Sequence, residues 1–290
     1  MLSVRDIRRR IRSIRSTAQI TKAMQMVAAS KMRKAQQAAL AGRPFVQLLY
    51  RMQRKATTQA IDFVHPLLEA RPVRKRAVIL ISTDKGLCGG LNSNLFRMAA
   101  DFDTASTVFI VAGRKAAQFV ARTRRNLAAE FTYSDTPRFA EASAIASMAR
   151  DMFLKGEVDE VRIVATRFIN TLTQRPVTIE YLPVGEIASM KLEGAESEEQ
   201  LAANTTQFQF EPDAKSVLGY LIPHYLNVYL FQVLLNAKAS EQSARMVSMK
   251  NATDNAQGLI KDLTLEYNKL RQGNITRELL DIAGGKAGSE

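Results

Sequence analysis

At 290 residues and 46% apolar content, the chain has room for about two domains and is too apolar to be disordered throughout. Its formal net charge is +13, and residues 1–60, with 14 Lys or Arg against the single acid Asp6, carry the whole excess. The lone Cys88 excludes an intramolecular disulfide and a multi-cysteine zinc site, and no 18 uninterrupted apolar residues predict a membrane span.

The first element predicted is a long helix from about Ser3 to Thr58, with Val4, Ile7, Ile11, Ile14 and Ala18 on one side. This period continues through Ile20, Met24 and Val27. The opening residues resemble an Arg-rich transit peptide, but Asp6 is off-pattern and the period runs unbroken into the rest of the helix, so the segment is expected in the mature fold. Gly42 and Pro44 are expected to bend the helix or split it. His65-Pro66 and Arg71-Pro72 mark a loop. Ala77 to Ile81 reads as a buried strand, Leu91 to Asp103 as a helix, Val108 to Ala112 as a second strand stopped by Gly113, and Arg114 to Arg124 as a helix. Pro137 opens a helix through about Lys155, closed by Gly156. Val161 to Thr166 and Val177 to Leu182 are two further strands, the second able to run antiparallel to its neighbour. Strands alternating with helices argue for a small, largely parallel sheet covered by helices. Residues 189–204 read as a mobile acidic loop, and Phe208 to Phe210 as a short edge strand.

The last helix runs from about Asp213 to Ala283, kinked near Pro223, with Met249, Ala252, Ala256, Leu259, Leu263, Tyr267 and Leu270 in register. At ~1.5 Å per residue the two terminal helices are rods of roughly 80 and 105 Å, longer than a compact domain needs. A narrow apolar stripe cannot bury itself, so the simplest partner for each is the other, giving an antiparallel two-stranded shaft. Alanines on both sides of the seam (Ala28, Ala35, Ala252 and Ala256 among them) allow close approach, although alanine also simply favours helix. The expected division is 1–60 as the N-terminal shaft helix, 61–212 as the α/β domain and 213–290 as the C-terminal shaft helix.

Candidate chemistry is sparse. Asp84-Lys85-Gly86-Leu87-Cys88-Gly89-Gly90 is a glycine-rich strand-to-helix turn, the place where open α/β sheets bind phosphate, but it matches neither a Walker A loop nor a dinucleotide fingerprint and reads as a structural turn. His65 and His224 are isolated, and with Cys88 they assemble no metal site and no Cys–His pair. No catalytic constellation and no cofactor site is predicted. The basic face of the first helix, Arg8, Arg9, Arg10, Arg12 and Arg15, is ordinarily a solvated surface. The absence of acids between Asp6 and Asp62 argues for an acidic partner: nucleic acid, anionic lipid or an acidic protein surface. No aromatic residue precedes Phe45 to stack on bases, which weighs against single-stranded nucleic acid but not against a duplex.

Three blocks resemble the gamma subunit of F-type ATP synthase: Ile7 to Gln36, Ser82 to Phe96 with Arg167 to Gln174, and Ala239 to Leu279. They lie in the family's order and span nearly the whole chain. The resemblance implies an antiparallel coiled coil of the terminal helices joined to a small Rossmann-like, largely parallel α/β domain. It implies a central-stalk rotor that is itself not an enzyme, coupling ion flow through the membrane ring of c subunits to cycling of the catalytic beta subunits. Its implied partners are the alpha, beta and epsilon subunits and the c ring, with no nucleic acid and no membrane span of its own. On matching positions, a lower contact with an acidic loop of the beta subunit falls on Lys22, Met24 and Arg245, and an upper contact on Arg271, Gln272 and Thr276. The expected place is the cytoplasmic face of a bacterial inner membrane. Gly273-Asn274 departs from the pattern and should soften the last turns by roughly 1 kcal/mol. Cys88 alone cannot supply the paired-cysteine redox switch of the chloroplast type. The alternative reading is a coiled-coil protein binding nucleic acid through its basic helix, whose affinity would fall steeply with salt.

Overall fold

In a computed structural model the described residues are 3–42, 44–45, 48–49, 51–52, 56, 64–184, 210–211 and 213–287, with side chains as far as 280. The acidic stretch 189–204 lies outside them, as does most of the expected strand at Phe208 to Phe210. Two compact units form: residues 1–28 with 245–290, and residues 29–244.

The first unit is built from the ends of two helices, α1 (Val4–Ala41) and α5 (Ala214–Ala287). Ser3 and Asp6 start α1 by exchanging hydrogen bonds: Asp6 N donates to Ser3 Oγ, and Ser3 N donates to Asp6 Oδ2. This reciprocal arrangement occupies donors that a helix start leaves open. The buried positions of α1 here are Ile7, Ala18, Thr21 and Ala28, and those of α5 are Arg245, Met249, Thr253 and Ala256, with Ile260, Leu263, Tyr267 and Leu270 half-buried. The spacing of threes and fours is the one expected, but its residues differ in the middle. Ile20, Val27 and Leu259 are 60%, 54% and 52% exposed, and Thr21, Ala28 and Ile260 hold the inward positions instead. An apolar residue one place off the seam looks identical in a one-dimensional pattern, and the small Thr and Ala carry little weight in it.

The second unit is a three-layer α/β domain. Its strands are β1 (Arg76–Ile81), β2 (Thr107–Ala112), β3 (Asn126–Phe131), β4 (Glu160–Phe168) and β5 (Gln174–Leu182), in the order β3-β2-β1-β4-β5. All pairs are parallel except β4 with β5, an antiparallel hairpin. The helices between them are α2 (Leu91–Ala100), α3 (Arg114–Arg122) and α4 (Phe139–Leu154). Helices α2 and α3 cover one face, where Leu95, Ala99, Ala116 and Val120 meet Val78, Leu80, Phe109 and Val111. On the other, α4 and the first part of α5 meet Ile79, Ile81, Ile110 and Ile163. With both faces covered, β1 is almost wholly buried, which is why its sequence is a continuous apolar run. One described helix, α5, has an 18-residue stretch apolar enough to cross a bilayer, and half of that stretch is buried in the protein. Leu218, Leu221, Ile222, Tyr225, Leu226 and Leu230 belong to the domain core.

Two features of the α/β domain differ from expectation. Helix α2 stops at Ala100, because the Arg125 guanidinium takes the carbonyls of Ala100 and Phe102 at 2.8 Å each. Strand β3 has no counterpart in the sequence reading: it is a mostly exposed edge strand, Asn-Leu-Ala-Ala-Glu-Phe, held by its parallel pairing with β2. The interruption expected near Gly42 is present. There α1 ends at Ala41 with Gly42 in a turn, and helical residues recur between Pro44 and Ala56.

Candidate functional site

The six residues matched to partner contacts all fall in the two-helix unit. Thr21 and Thr253 fix the level of one helix on the other: their Oγ1 atoms are 2.7 Å apart, and both residues are buried. Thr253 Oγ1 also donates to Met249 O at 2.8 Å, which leaves its lone pairs for the Thr21 hydroxyl. Counting outward in an antiparallel pair, Ile7 stands about level with Tyr267, and Ser3 about level with Arg271. From Arg271 to Leu280 every residue of α5 is exposed. The end of α5 is thus a single helix reaching beyond the start of α1, and Arg271, Gln272 and Thr276 are on it. Thr276 Oγ1 donates to Gln272 O at 2.9 Å, along the helix itself.

Lys22 is exposed and Met24 half-buried, one and three residues past Thr21. Arg245 sits about 10 Å along the axis from Lys22 by helical rise, and it is only 8% exposed. Lys22 and Met24 therefore offer surface to a partner, and Arg245 little. Arg8, Arg9, Arg10, Arg12 and Arg15 are all exposed, on the outside of the seam that buries Ile7 and half-buries Ile11 and Ile14. The basic face is a coherent surface of one helix, with no acid on α1 beyond Asp6 to neutralise it.

In the α/β domain, the glycine-rich turn is consumed by its own hydrogen bonds. Asn92 Nδ2 donates to Thr83 Oγ1 at 2.8 Å and to Cys88 Sγ at 3.4 Å, and Thr83 Oγ1 donates to Lys85 O at 2.8 Å. Asp84 Oδ1 accepts from Arg114 N at 3.0 Å, so a carboxylate of the chain already occupies the start of α3. Leu87 and Gly89 both have positive φ, which makes the segment a tight structural turn. His65 Nδ1 accepts from Leu67 N at 3.2 Å to start a short 3-10 turn, and burial pushes the imidazole below its ordinary pKa. His224 packs against Phe45 and Phe139 with ring centroids 5.9 and 5.8 Å away. Among the described residues no three His, Cys, Asp or Glu side chains are grouped to hold a metal. An open cavity of about 450 Å³ lies at the opposite, amino ends of the strands, between Lys75, Ser106, Asn126, Met152 and Glu157.

The sequence reading missed a buried charged group on α5. Lys238 and Glu241 are 2% and 3% exposed, and Lys238 Nζ lies 3.0 Å from Glu241 Oε2 and 3.4 Å from Asp135 Oδ1. Lys31 of α1 also pairs with Asp135, and its hydrogen bond, with the nearby Lys238 charge, holds that carboxyl below its ordinary pKa. Tyr133 lies 5.0 Å under Lys238 and donates to Ser82 O at 2.7 Å. Burial, with the charges of Glu241 and Asp84, drives its hydroxyl well above the usual range. In the sequence these residues are polar breaks in a helical pattern, and such breaks ordinarily face water; the signal available was the clustering of Lys238, Ser240, Glu241, Gln242 and Ser243 without an apolar partner face.

A family model described as ATP synthase matches residues 3–288. The ATP synthase gamma chain of Opitutus terrae is 48% identical over 290 residues, covering 99% of this chain and 98% of that one. The chain belongs to the ATP synthase gamma chain family. That of Methylacidiphilum infernorum is 44% identical over 288 residues, with 98% of each covered. Among solved structures, a chain of the Tetrahymena thermophila mitochondrial ATP synthase central stalk and c-ring is similar with a TM-score of 0.58 at 25% identity, over 80% of this chain and 99% of that one. A chain of the Euglena gracilis mitochondrial ATP synthase shares the fold, with a TM-score of 0.68 at 18% identity, over 98% and 94%. Membership places the chain in a membrane-associated complex, and none of these relatives supports the nucleic-acid reading.

Proposed function

We propose that the chain is the central-stalk rotor of an F-type ATP synthase and catalyses nothing itself. The observation that carries this reading is the two-helix unit: a seam in which Ala18, Thr21, Ala28, Thr253 and Ala256 are buried with Ile7 and Met249, a basic outer face and a single exposed helix beyond Arg271. A partner shifts a conformational equilibrium only through contacts that differ between the states. An asymmetric rod turning inside a ring of three alpha and three beta subunits supplies such differences to each catalytic site in turn. Small residues in the seam keep the rod narrow.

Lys22 and Met24 meet an acidic loop of the beta subunit, and Arg271, Gln272 and Thr276 meet beta at the upper end. Arg245 acts at the lower contact from beneath the surface, since little of it is exposed. The α/β domain docks the epsilon subunit and the membrane ring of c subunits at the cytoplasmic face of a bacterial inner membrane. In this division 1–60 and 213–290 supply the shaft helices and 61–212 the docking domain. The test is co-expression with the organism's alpha and beta subunits. One copy per three alpha and three beta, with ATPase lost when the chain is omitted, is expected. A chain that stays separate from them refutes the reading. Within the complex, Arg271→Ala with Gln272→Ala is expected to lower ATP synthesis by about tenfold, equivalent to roughly 1.4 kcal/mol; unchanged assembly and synthesis would remove the upper contact.

A further inference from the structure

Open α/β sheets bind their ligands outside the carboxyl ends of the strands, where the strand order reverses. Here that point is β1, flanked by β2 on one side and β4 on the other. The parallel register that sets Leu80 beside Val164 brings the carbonyls of Ser82 and Thr166 to one level at those carboxyl ends. Both carbonyls are already taken. Tyr133 donates to Ser82 O at 2.7 Å, and Ser240 Oγ of α5 donates to Thr166 O at 3.3 Å. One turn on, Ser243 Oγ donates to Thr171 O at 2.8 Å, and Gln174 Nε2 reaches Ser243 Oγ at 3.4 Å. Lys238 pairs with Glu241 and Asp135 and lies over Tyr133, and Lys31 pairs with Asp135 from α1.

We infer that the Lys238–Ser243 segment of α5 occupies the ligand crevice of the α/β sheet as a built-in occupant, and that Asp135, Lys238, Ser240 and Ser243 are positioning residues that stop the helix turning about its own axis. Every residue from Ala237 to Ala244 is buried, polar ones included, whereas a helix resting on a sheet buries one stripe. The hydrophobic effect is non-directional and does not by itself specify the rotation of a helix about its axis. Hydrogen bonds and ion pairs have fixed directions, and those on this segment run to Asp135 on the loop after β3 and to the carbonyls of Thr166 and Thr171, while Lys31 of α1 reaches it only through Asp135. Burying Lys238 and Glu241 carries a desolvation cost that hydrophobic residues would avoid, so the pair suits a role in fixing orientation better than one in adding stability. The loop bearing Asp135 is itself held: Glu141 Oε2 accepts from Arg138 N at 2.9 Å and from Ser134 Oγ at 3.1 Å.

For the rotor, on whose reading this part rests, the segment is the joint through which the helix passes twist to the α/β domain. The assay is a single assembled complex whose alpha–beta head is immobilised and stalled by a non-hydrolysable nucleotide. A bead is carried by Asp101→Cys, at an exposed turn after α2. Angular variance of the bead varies inversely with torsional stiffness. Asp135→Asn, and separately Ser240→Ala with Ser243→Ala, are expected to raise that variance at least twofold with subunit copy number and head ATPase unchanged, and Asp135→Glu to restore it. Variance unchanged in both variants overturns the inference. Hydrogen exchange on the full chain alone tests the joint without the rotor reading. The amides of residues 237–244 are expected to be protected, with Asp135→Asn speeding their exchange about tenfold, and unaltered exchange overturns it. A wild-type chain that does not join alpha and beta refutes the rotor reading and leaves the exchange result to decide the joint.

Discussion

Gly113→Ala is the sharpest test of how the α/β domain is assembled. Gly113 links β2 to α3 with φ +99, and a Cβ there would stand 2.4 Å from Ser82 O and 3.0 Å from Ser82 Oγ. Neither atom can simply move away. Ser82 O accepts the Tyr133 hydroxyl, and Ser82 Oγ accepts Ala116 N at 2.7 Å at the start of α3. Backbone at φ +99 and ψ +142 lies outside the left-handed α region and costs an alanine about 1–3 kcal/mol, and forcing the buried overlap adds about 1–3 kcal/mol. A total near 3 kcal/mol should lower the Tm of a chain this size by roughly 10 °C. Gly156, just past α4, provides the control: its φ is +72, but a Cβ would meet nothing within 4 Å. Gly156→Ala should therefore carry the conformational part alone, about 1–2 kcal/mol. Thermal melts of the full chain followed by circular dichroism at 222 nm compare the two. If Gly113→Ala melts no lower than Gly156→Ala, the close approach to Ser82 is not holding β1 against α3 and the steric argument fails.

The Thr21–Thr253 pair in the shaft should behave as a coupled unit. Thr21→Val or Thr253→Val alone should cost about 0.5–1.5 kcal/mol, while the double replacement should be close to neutral, because two apolar groups of the same shape leave no buried hydroxyl behind; urea melts of the four proteins give the coupling, and a double variant worse than the sum of the singles contradicts this. Acid stability should depend on Asp159, whose carboxylate accepts from Lys75 N and Arg74 N at 2.9 Å each and is held below its ordinary value of 3.8 by those bonds. A depressed carboxyl contributes fully above its unfolded value, and the contribution disappears as pH falls through the folded one. Tm measured from pH 6 down to 2 should therefore fall less steeply below about pH 4 in Asp159→Asn than in the wild type, and parallel curves would exclude the effect.

Helical periodicity, one glycine-rich turn and the basic run were enough for the sequence to determine two long terminal helices around a small parallel sheet, and three matching blocks carried the family. Strands such as Ala77 to Ile81 were legible because burial on both faces forces a continuous apolar run. Strand β3 was not, because a half-exposed edge strand with two alanines at its centre has no apolar alternation and takes its conformation from pairing with β2. The shaft seam was legible as a period but not as a set of residues, since Ile20, Val27 and Leu259 lie one place from Thr21, Ala28 and Ile260. Only packing decides which side of a helix faces its partner. The pairing of the buried Lys238 and Glu241 with the exposed Asp135 was likewise invisible. Lys31 and Asp135 stand 104 positions apart in the chain, and Lys238 comes to the same carboxylate from a third element. A charge is tolerated inside the protein only beside a partner, and of the two that Lys238 has, Glu241 comes from its own helix and Asp135 only from the tertiary structure.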